Sequence, residues 1–566
     1  MPRRSFDQWD NKMALRICAI PTAGLALGQG AAAPGLAVHF SQSNSAKDVA
    51  SAANVALFVP VGQAATPFLK PGKFTAEWRG FLGVDLRGDY AFQAELNGAL
   101  KLEINGTVVL EASAASGATE LSKTVRLGKG ATNVLVATFT SPEQGDAYVR
   151  LHWKPRDSFP QPIPGKALSH AASDEEMKAV RLRQGRDLLV EHRCLHCHGG
   201  KPPSGMPELA MDAPTFEGIG SRRGANWMAR WILNPKAMRP DGTMPQLLHG
   251  PQAADDARAI AEYLGSLKST ETPSTQTADA SLADAGKKLF ETLHCGACHT
   301  TPGSQENEAA KISLKQVGAK FLPGALEAFL EKPDAHYAWI RMPRFQLTDD
   351  QRRQLASYFL AHSEKPATFA SGGDSAVERG KKLVQSTGCL NCHSLKLENT
   401  FSAKPLAAGA PSATGCLAEK PGAEPQAPQF HFTNDQREVL RAFLATDRAS
   451  LARHDAAEFA HRQMKHLNCA SCHGQFDGFP GLELLGEKLK PEWTEQFLSG
   501  AVKQKPRPWL TAQMPAFPKY AAELAKGLAM QHGLPPQTPP EPAVDLDASK
   551  IDNNLVSNPP LGCACV

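Results

Sequence analysis

The pattern Cys-x-x-Cys-His occurs four times in this chain, at residues 194–198, 295–299, 389–393 and 469–473. Few sequence features constrain a fold as tightly. Such a run is the attachment signature of a c-type haem: two thiols form thioethers to the porphyrin, and the histidine binds iron from one side. The runs take Cys194, Cys197, Cys295, Cys298, Cys389, Cys392, Cys469 and Cys472, with His198, His299, His393 and His473 as iron ligands. Of the 12 cysteines, only Cys18, Cys416, Cys563 and Cys565 are left over, so the usage is that of a cofactor framework rather than a disulfide framework. A zinc site would need further paired Cys or His, and no second Cys-x-x-Cys accompanies any run.

The runs recur at spacings of about 101, 94 and 80 residues, which marks repeated modules. A small residue stands nine places before each first cysteine: Gly185, Gly286, Gly380 and Ala460. Glycine inside a helix costs about 1 kcal/mol relative to alanine, and close approach of a second helix is a reason to keep it. Candidate partner helices open with acidic or Asn residues at 255–263, 349–358 and 434–443, and each carries an aromatic residue that a glycine can receive.

A helix bearing the run and crossed by a later helix resembles the small monohaem cytochromes c. The resemblance covers about residues 175–532, four times over: 175–268, 280–364, 374–447 (atypical) and 453–532. It implies four covalent haems c and electron transfer with redox partner proteins, rather than catalysis.

The sixth iron ligand separates the modules. Met244, Met342 and Met514 each precede a proline and lie 41 to 46 residues after a run's histidine. A thioether is a soft donor that raises the reduction potential. Met206, Met211, Met228 and Met238 are weaker rivals in the first module. The third has no counterpart: aligning residues 342–352 with 427–437 sets Ala427 against Met342 and His431 against Gln346. Its distal position is open to His431, to Cys416 as thiolate, to an exogenous small molecule, or to a histidine of a neighbouring module. Substrate chemistry at this third haem is the alternative to simple relay.

Residues 45–155 read as all-β, with strand-like runs at 74–78, 89–94, 100–104, 134–139 and 149–153 and turn pairs Asn97-Gly98 and Asn105-Gly106. Trp78-x-Gly80, residues 88–92 and 102–106, and Leu151-His-Trp153 resemble the protective-antigen-type β-sandwich family. Many members hold calcium and sugar through tandem aspartates. Here that loop, 95–100, offers mainly Asn97, so a structural or docking role is expected, with contact to glycan or the cell envelope as the alternative. The fold expected overall is multidomain: an N-terminal all-β sandwich followed by four mainly α cytochrome c-like modules.

Residues 1–33 read as an export signal, with Met13 as the true start, and place the protein in the periplasm or at the cell surface. No stretch is long and apolar enough to remain in a membrane. A net charge of +4 argues against a nucleic-acid partner. The tail 535–566 is Pro-rich and reads as disordered. His170, His249, His336 and His461 read as surface residues.

Overall fold

The computed structural model describes residues 32–540, apart from 115, 131, 200–204, 270–278, 305–310, 365–371, 407–414, 419–426, 477 and 511–512. The expected export segment with Met13 and Cys18, residues 270–278 between the first two modules, and the end of the tail with Cys563 and Cys565 lie outside the described residues. An N-terminal β-rich region is followed by a helical one. Among the described residues no helix is long and apolar enough to cross a membrane.

Twelve strands between Ala32 and Ala171 are hydrogen-bonded into one sheet curled over a single core. Alternation buries Trp78, Phe92, Leu102 and Phe139 on the inner face. One expectation fails: Asn97-Gly98 is not a turn. A single strand, Gly88–Ile104, runs through it. Its first half pairs with Ala147–Pro155 and its second with Thr107–Ala114 and Asn133–Thr140. The strand bends between the two ladders at Gly98, whose φ is +139° and where a Cβ would lie 2.6 Å from the Phe139 ring and the Thr140 carbonyl. Only glycine fits such a corner. The true hairpin is Asn105-Gly106, with φ of 53° and 76°.

The sheet is fixed to the helices by buried ions. Arg183 reaches Asp48 at 2.5 Å and Glu458 at 3.0 Å. Arg186, 1% exposed, bonds Glu458 and the carbonyls of Ser450 and Arg453. His170 is a second correction: it is buried, with Nδ1 on the Gly35 carbonyl and Nε2 on Glu176, and joins the first strands to the first helix.

Four helices enter the cysteine runs: Asp174–Glu191, Ala283–Thr292, Gly373–Ser386 and Ala456–His466. Four cross them: Ala253–Ser266, Asp349–Ala361, Asn434–Leu444 and Ala521–Met530. The openings of the second and third crossing helices are sharper than the acidic residues alone implied. Thr348 and Thr433 form capping boxes with Gln351 and Gln436.

The crossings do not follow chain order. A Cβ on Gly286 would lie 2.0 Å from the Gln354 carbonyl, within its own repeat. At the fourth run the close approach uses a glycine on the crossing helix: Gly527 lies against Ala456 and Ala460. At the first and third runs the helices are exchanged. Gly185 faces Val439 and Phe443 of Asn434–Leu444, at 2.1 Å from the Val439 carbonyl, while Gly380 faces Ala259 and Tyr263 of Ala253–Ser266, at 2.0 Å from the Ala259 carbonyl.

Candidate functional site

Two residues past the end of each entering helix, directly before its run, stands a residue in the left-handed region: Arg193 (φ 55°), His294 (55°), Gly388 (89°) and Asn468 (60°). That residue reverses the chain into a single helical turn carrying the cysteines and histidine. The turn sets residues three and four apart on one side, so both thiols and the imidazole share a face. None of the eight thiols is in a disulfide. Burial pushes Cys194 and Cys295 up to about 12, and Cys392 and Cys469 to about 11, so these are neutral thiols in apolar surroundings. Among the described residues no group of three or more His, Cys, Asp or Glu is arranged to hold a metal ion.

Every histidine of the runs is oriented by a backbone carbonyl at Nδ1. His299 meets Ile312 at 3.2 Å, His473 meets Pro480 at 2.9 Å, His198 meets Lys404 at 2.7 Å and His393 meets Pro214 at 2.6 Å. A carbonyl only accepts, so Nδ1 carries the proton and Nε2 keeps its lone pair for a metal. Burial holds His299 and His393 down at about 4, which keeps both neutral. These supporting carbonyls were missed in the sequence. Pro214, Pro480 and the Lys404-Pro405 pair carried the signal, a proline at or beside the acceptor in three of the four cases.

The acceptors repeat the exchange of helices. Ile312 and Pro480 belong to the same repeats as their histidines. His198 of the first run takes Lys404 from the third segment, and His393 of the third takes Pro214 from the first. Phe216, also of the first segment, stacks on the His393 ring at 4.2 Å.

The expected distal ligands distribute accordingly. Met342 lies against the cluster that also holds Cys295, Phe290 and Tyr358, and Met514 lies against a larger one that holds both Cys469 and Cys194. Met244 accepts from Trp231 Nε1 at 3.0 Å. Trp231 stacks on Trp227, which packs in the Cys389 cluster. Cys416 packs in the cluster of Cys194, not of Cys389. His431 is exposed, with φ of 55° and Nε2 3.4 Å from Gln246 Oε1. Cys416 thus lies with the first run, and His431 is held beside Gln246 of the segment that carries Met244. Of the rivals, Met206 and Met211 are core residues beside Leu189 and Leu209, and Met228 packs with Phe216.

The runs also meet in pairs. Asn391 donates to Cys197 Sγ at 3.3 Å, and His196 Nδ1 lies 2.9 Å from the Asn391 carbonyl. Asn468 lies 3.8 Å from Cys298 Sγ and 3.3 Å from the Ala297 carbonyl.

Beside His299 sits positive charge whose neighbours are other cations. Burial, with Arg222 close by, lowers Arg223 to about 9. Burial, with Arg223 and Arg239, lowers Lys320 to about 7. Arg223 lies over the Phe321 ring at 4.1 Å, and Trp227 Nε1 is buried without a partner. Such a site has unmet capacity for carboxylates, and a haem brings two propionates. The thiols, the free Nε2 and the cations all fit that group at this run.

Residues 283–363 match the cytochrome c family. This segment is a cytochrome c domain. It holds Cys295, Cys298, His299 and Met342 between its two crossing helices, and such a domain carries covalent haem c and serves haem-based electron transfer. Over 156 residues the chain is 28% identical to the cbb3-type cytochrome c oxidase subunit CcoP of Helicobacter pylori (strain ATCC 700392 / 26695), covering 24% of this chain and 44% of that protein. The CcoP of Helicobacter pylori strain 52 matches at the same identity over 43% of its length. The chain thus spans less than half of these curated relatives. Among solved structures, a PA14 sugar-binding domain from an RTX adhesin is 14% identical and covers 24% of this chain and 99% of its own, with a TM-score of 0.21. An anti-sigma factor domain-containing protein from Clostridium clariflavum is 13% identical over 25% of this chain and 49% of its own, with a TM-score of 0.23. Scores this low carry no argument.

Proposed function

We propose that the chain is an exported tetrahaem cytochrome c that relays single electrons through four covalently bound haems to redox partner proteins in the periplasm or at the cell surface. The carrying observation is the pairing of the runs. With Asn391 on Cys197 and Asn468 within 3.8 Å of Cys298, haems attached at these cysteines would be held in pairs. Electron tunnelling falls steeply with distance, so paired edges favour transfer inside the protein. The chain's own contribution is to orient each imidazole through Nδ1, exclude water and set the potential through the distal ligand.

The β-rich region serves in this reading as a docking module. Asn97, the main cation-ligand candidate, donates to the Asp146 carbonyl, and Glu95 pairs with Arg150 at 2.6 Å. Arg150 in turn lies 3.5 Å from Glu487 of the helical region. These polar groups are engaged within the chain, which favours a structural role over glycan binding.

Alanine at position 427 favours one second reading, in which a haem without a methionine binds a small molecule. The test of the main reading is the intact mass of the exported protein together with its pyridine haemochrome absorbance. Four haems on eight cysteines are expected; a single haem, confined to 283–363, overturns it.

A further inference from the structure

We infer that the haem without a methionine ligand is the one bonded to Cys194 and Cys197, and that Met244 serves the iron held by His393. This rests on the tetrahaem reading and reverses the assignment that chain order gives.

Two undisputed repeats set the rule. In the second and fourth, one continuous segment supplies the carbonyl for the histidine, then the Met-Pro pair, then the helix that crosses the entering helix. At the second run these are Ile312, Met342-Pro343 and Asp349–Ala361; at the fourth, Pro480, Met514-Pro515 and Ala521–Met530. The Met-Pro segments of this pair meet each other: Arg344 and Ala516, each two residues past a methionine, exchange backbone hydrogen bonds at 2.9 and 2.8 Å.

The first and third runs form the same pair with one change. Gln246 and Gln429, two residues past Met244 and Ala427, exchange backbone hydrogen bonds at 2.9 Å each. Met244 and Ala427 are therefore structural counterparts, as Met342 and Met514 are. The supporting segments, however, are crossed over. The segment of Pro214, Met244 and Ala253–Ser266 gives its carbonyl to His393 and its crossing helix to Gly380. The segment of Lys404, Ala427 and Asn434–Leu444 gives its carbonyl to His198 and its crossing helix to Gly185. Two further contacts agree: Ala213 donates to the Cys392 carbonyl, and Leu406 to the His198 carbonyl. A distal ligand reaches the iron whose proximal imidazole and crossing helix its own segment holds. Met244 thus falls to His393, and Ala427 to His198.

The exchange has a consequence for assembly. Neither run of this pair has its histidine support and crossing helix until both halves of the chain are made, whereas His299 and Gly286 find theirs within 283–363.

The test compares two haem-deleted full-length proteins, Cys194→Ala/Cys197→Ala and Cys389→Ala/Cys392→Ala. Haem count from intact mass checks the tetrahaem reading separately, since each variant must hold three haems. The near-infrared magnetic circular dichroism of the ferric proteins then gives the fraction of haems with a sulfur-to-iron band. The inference expects all three remaining haems of the first variant to be methionine-ligated, and two of three in the second. The opposite ratios overturn it. Should a deletion prevent folding, the intact reduced protein supplies the same answer by NMR. The upfield methyl signal lost in Met244→Leu is expected to show Overhauser contacts to the haem that also contacts the Cys389 and Cys392 β-protons. Contacts to the Cys194 haem instead overturn the inference.

Discussion

Replacing Gly380 by alanine adds one methyl group at the most confined crossing of the exchanged pair. That Cβ would sit 2.0 Å from the Ala259 carbonyl oxygen, 2.5 Å from its carbon and 2.9 Å from the Tyr263 Cβ. The nearest atoms are backbone, so no side-chain rotation relieves the clash, and the helices Gly373–Ser386 and Ala253–Ser266 must part by about 1 Å. A gap of that size forfeits roughly a quarter to a half of the dispersion energy across the interface. Val384, Ile260 and Leu264, all buried, line it. Overpacking of this kind costs about 3 kcal/mol, and the helix preference of alanine over glycine returns about 1 kcal/mol. The net loss is about 2 kcal/mol. Hydrogen exchange followed by mass spectrometry reads both size and place: amides of 253–266 should exchange roughly 30-fold faster, with 434–444 unchanged. Equal protection throughout, or loosening of 434–444 instead, refutes the exchanged packing.

Arg183→Ala leaves Asp48 without its cation at a buried junction, while Glu458 keeps Arg186, at a cost of about 3 kcal/mol; limited proteolysis should then release the β-rich region intact. Met342→His replaces a thioether by an imidazole in the cytochrome c domain, and redox titration should show one haem falling by on the order of 0.2 V. Glu523 is held at about 2 by the His454 hydrogen bond and then by Lys526, against burial. Its folded value lies below its ordinary 4.5, so the stability it adds is present above pH 4.5 and disappears as pH falls toward 2. Allowing for partial exposure this is about 2 kcal/mol, and denaturant titrations of Glu523→Gln should lose that part of the acid slope.

The cysteine runs, their histidines and the glycine nine places upstream were legible because each answers a local demand: thioether spacing, an axial ligand, a close helix crossing. Which helix fills each crossing was not. Tyr263, Tyr358 and Phe443 meet their glycines in the same way, so the crossing surfaces are interchangeable in sequence, and tertiary contacts choose among them. The fourth repeat shows the same tolerance, with the glycine moved across the interface to Gly527. Asn97-Gly98 has the composition of a hairpin turn, yet pairing on both sides of it carries one strand through a bend there. His170 looked like a surface residue because its partners, Gly35 and Glu176, come from different parts of the chain. Cys416 follows the third run in the chain yet packs in the cluster of Cys194, because chain order is not spatial order here.

The central claim is electron relay among paired haems, and pulse reduction tests it most directly. A sub-stoichiometric pulse of reductant delivers at most one electron per molecule, and absorbance then follows its redistribution. An intramolecular phase whose rate does not change with protein concentration is expected, and it should shrink when Cys295 and Cys298 are both replaced by alanine. Redistribution that scales with protein concentration, with no intramolecular phase, contradicts it.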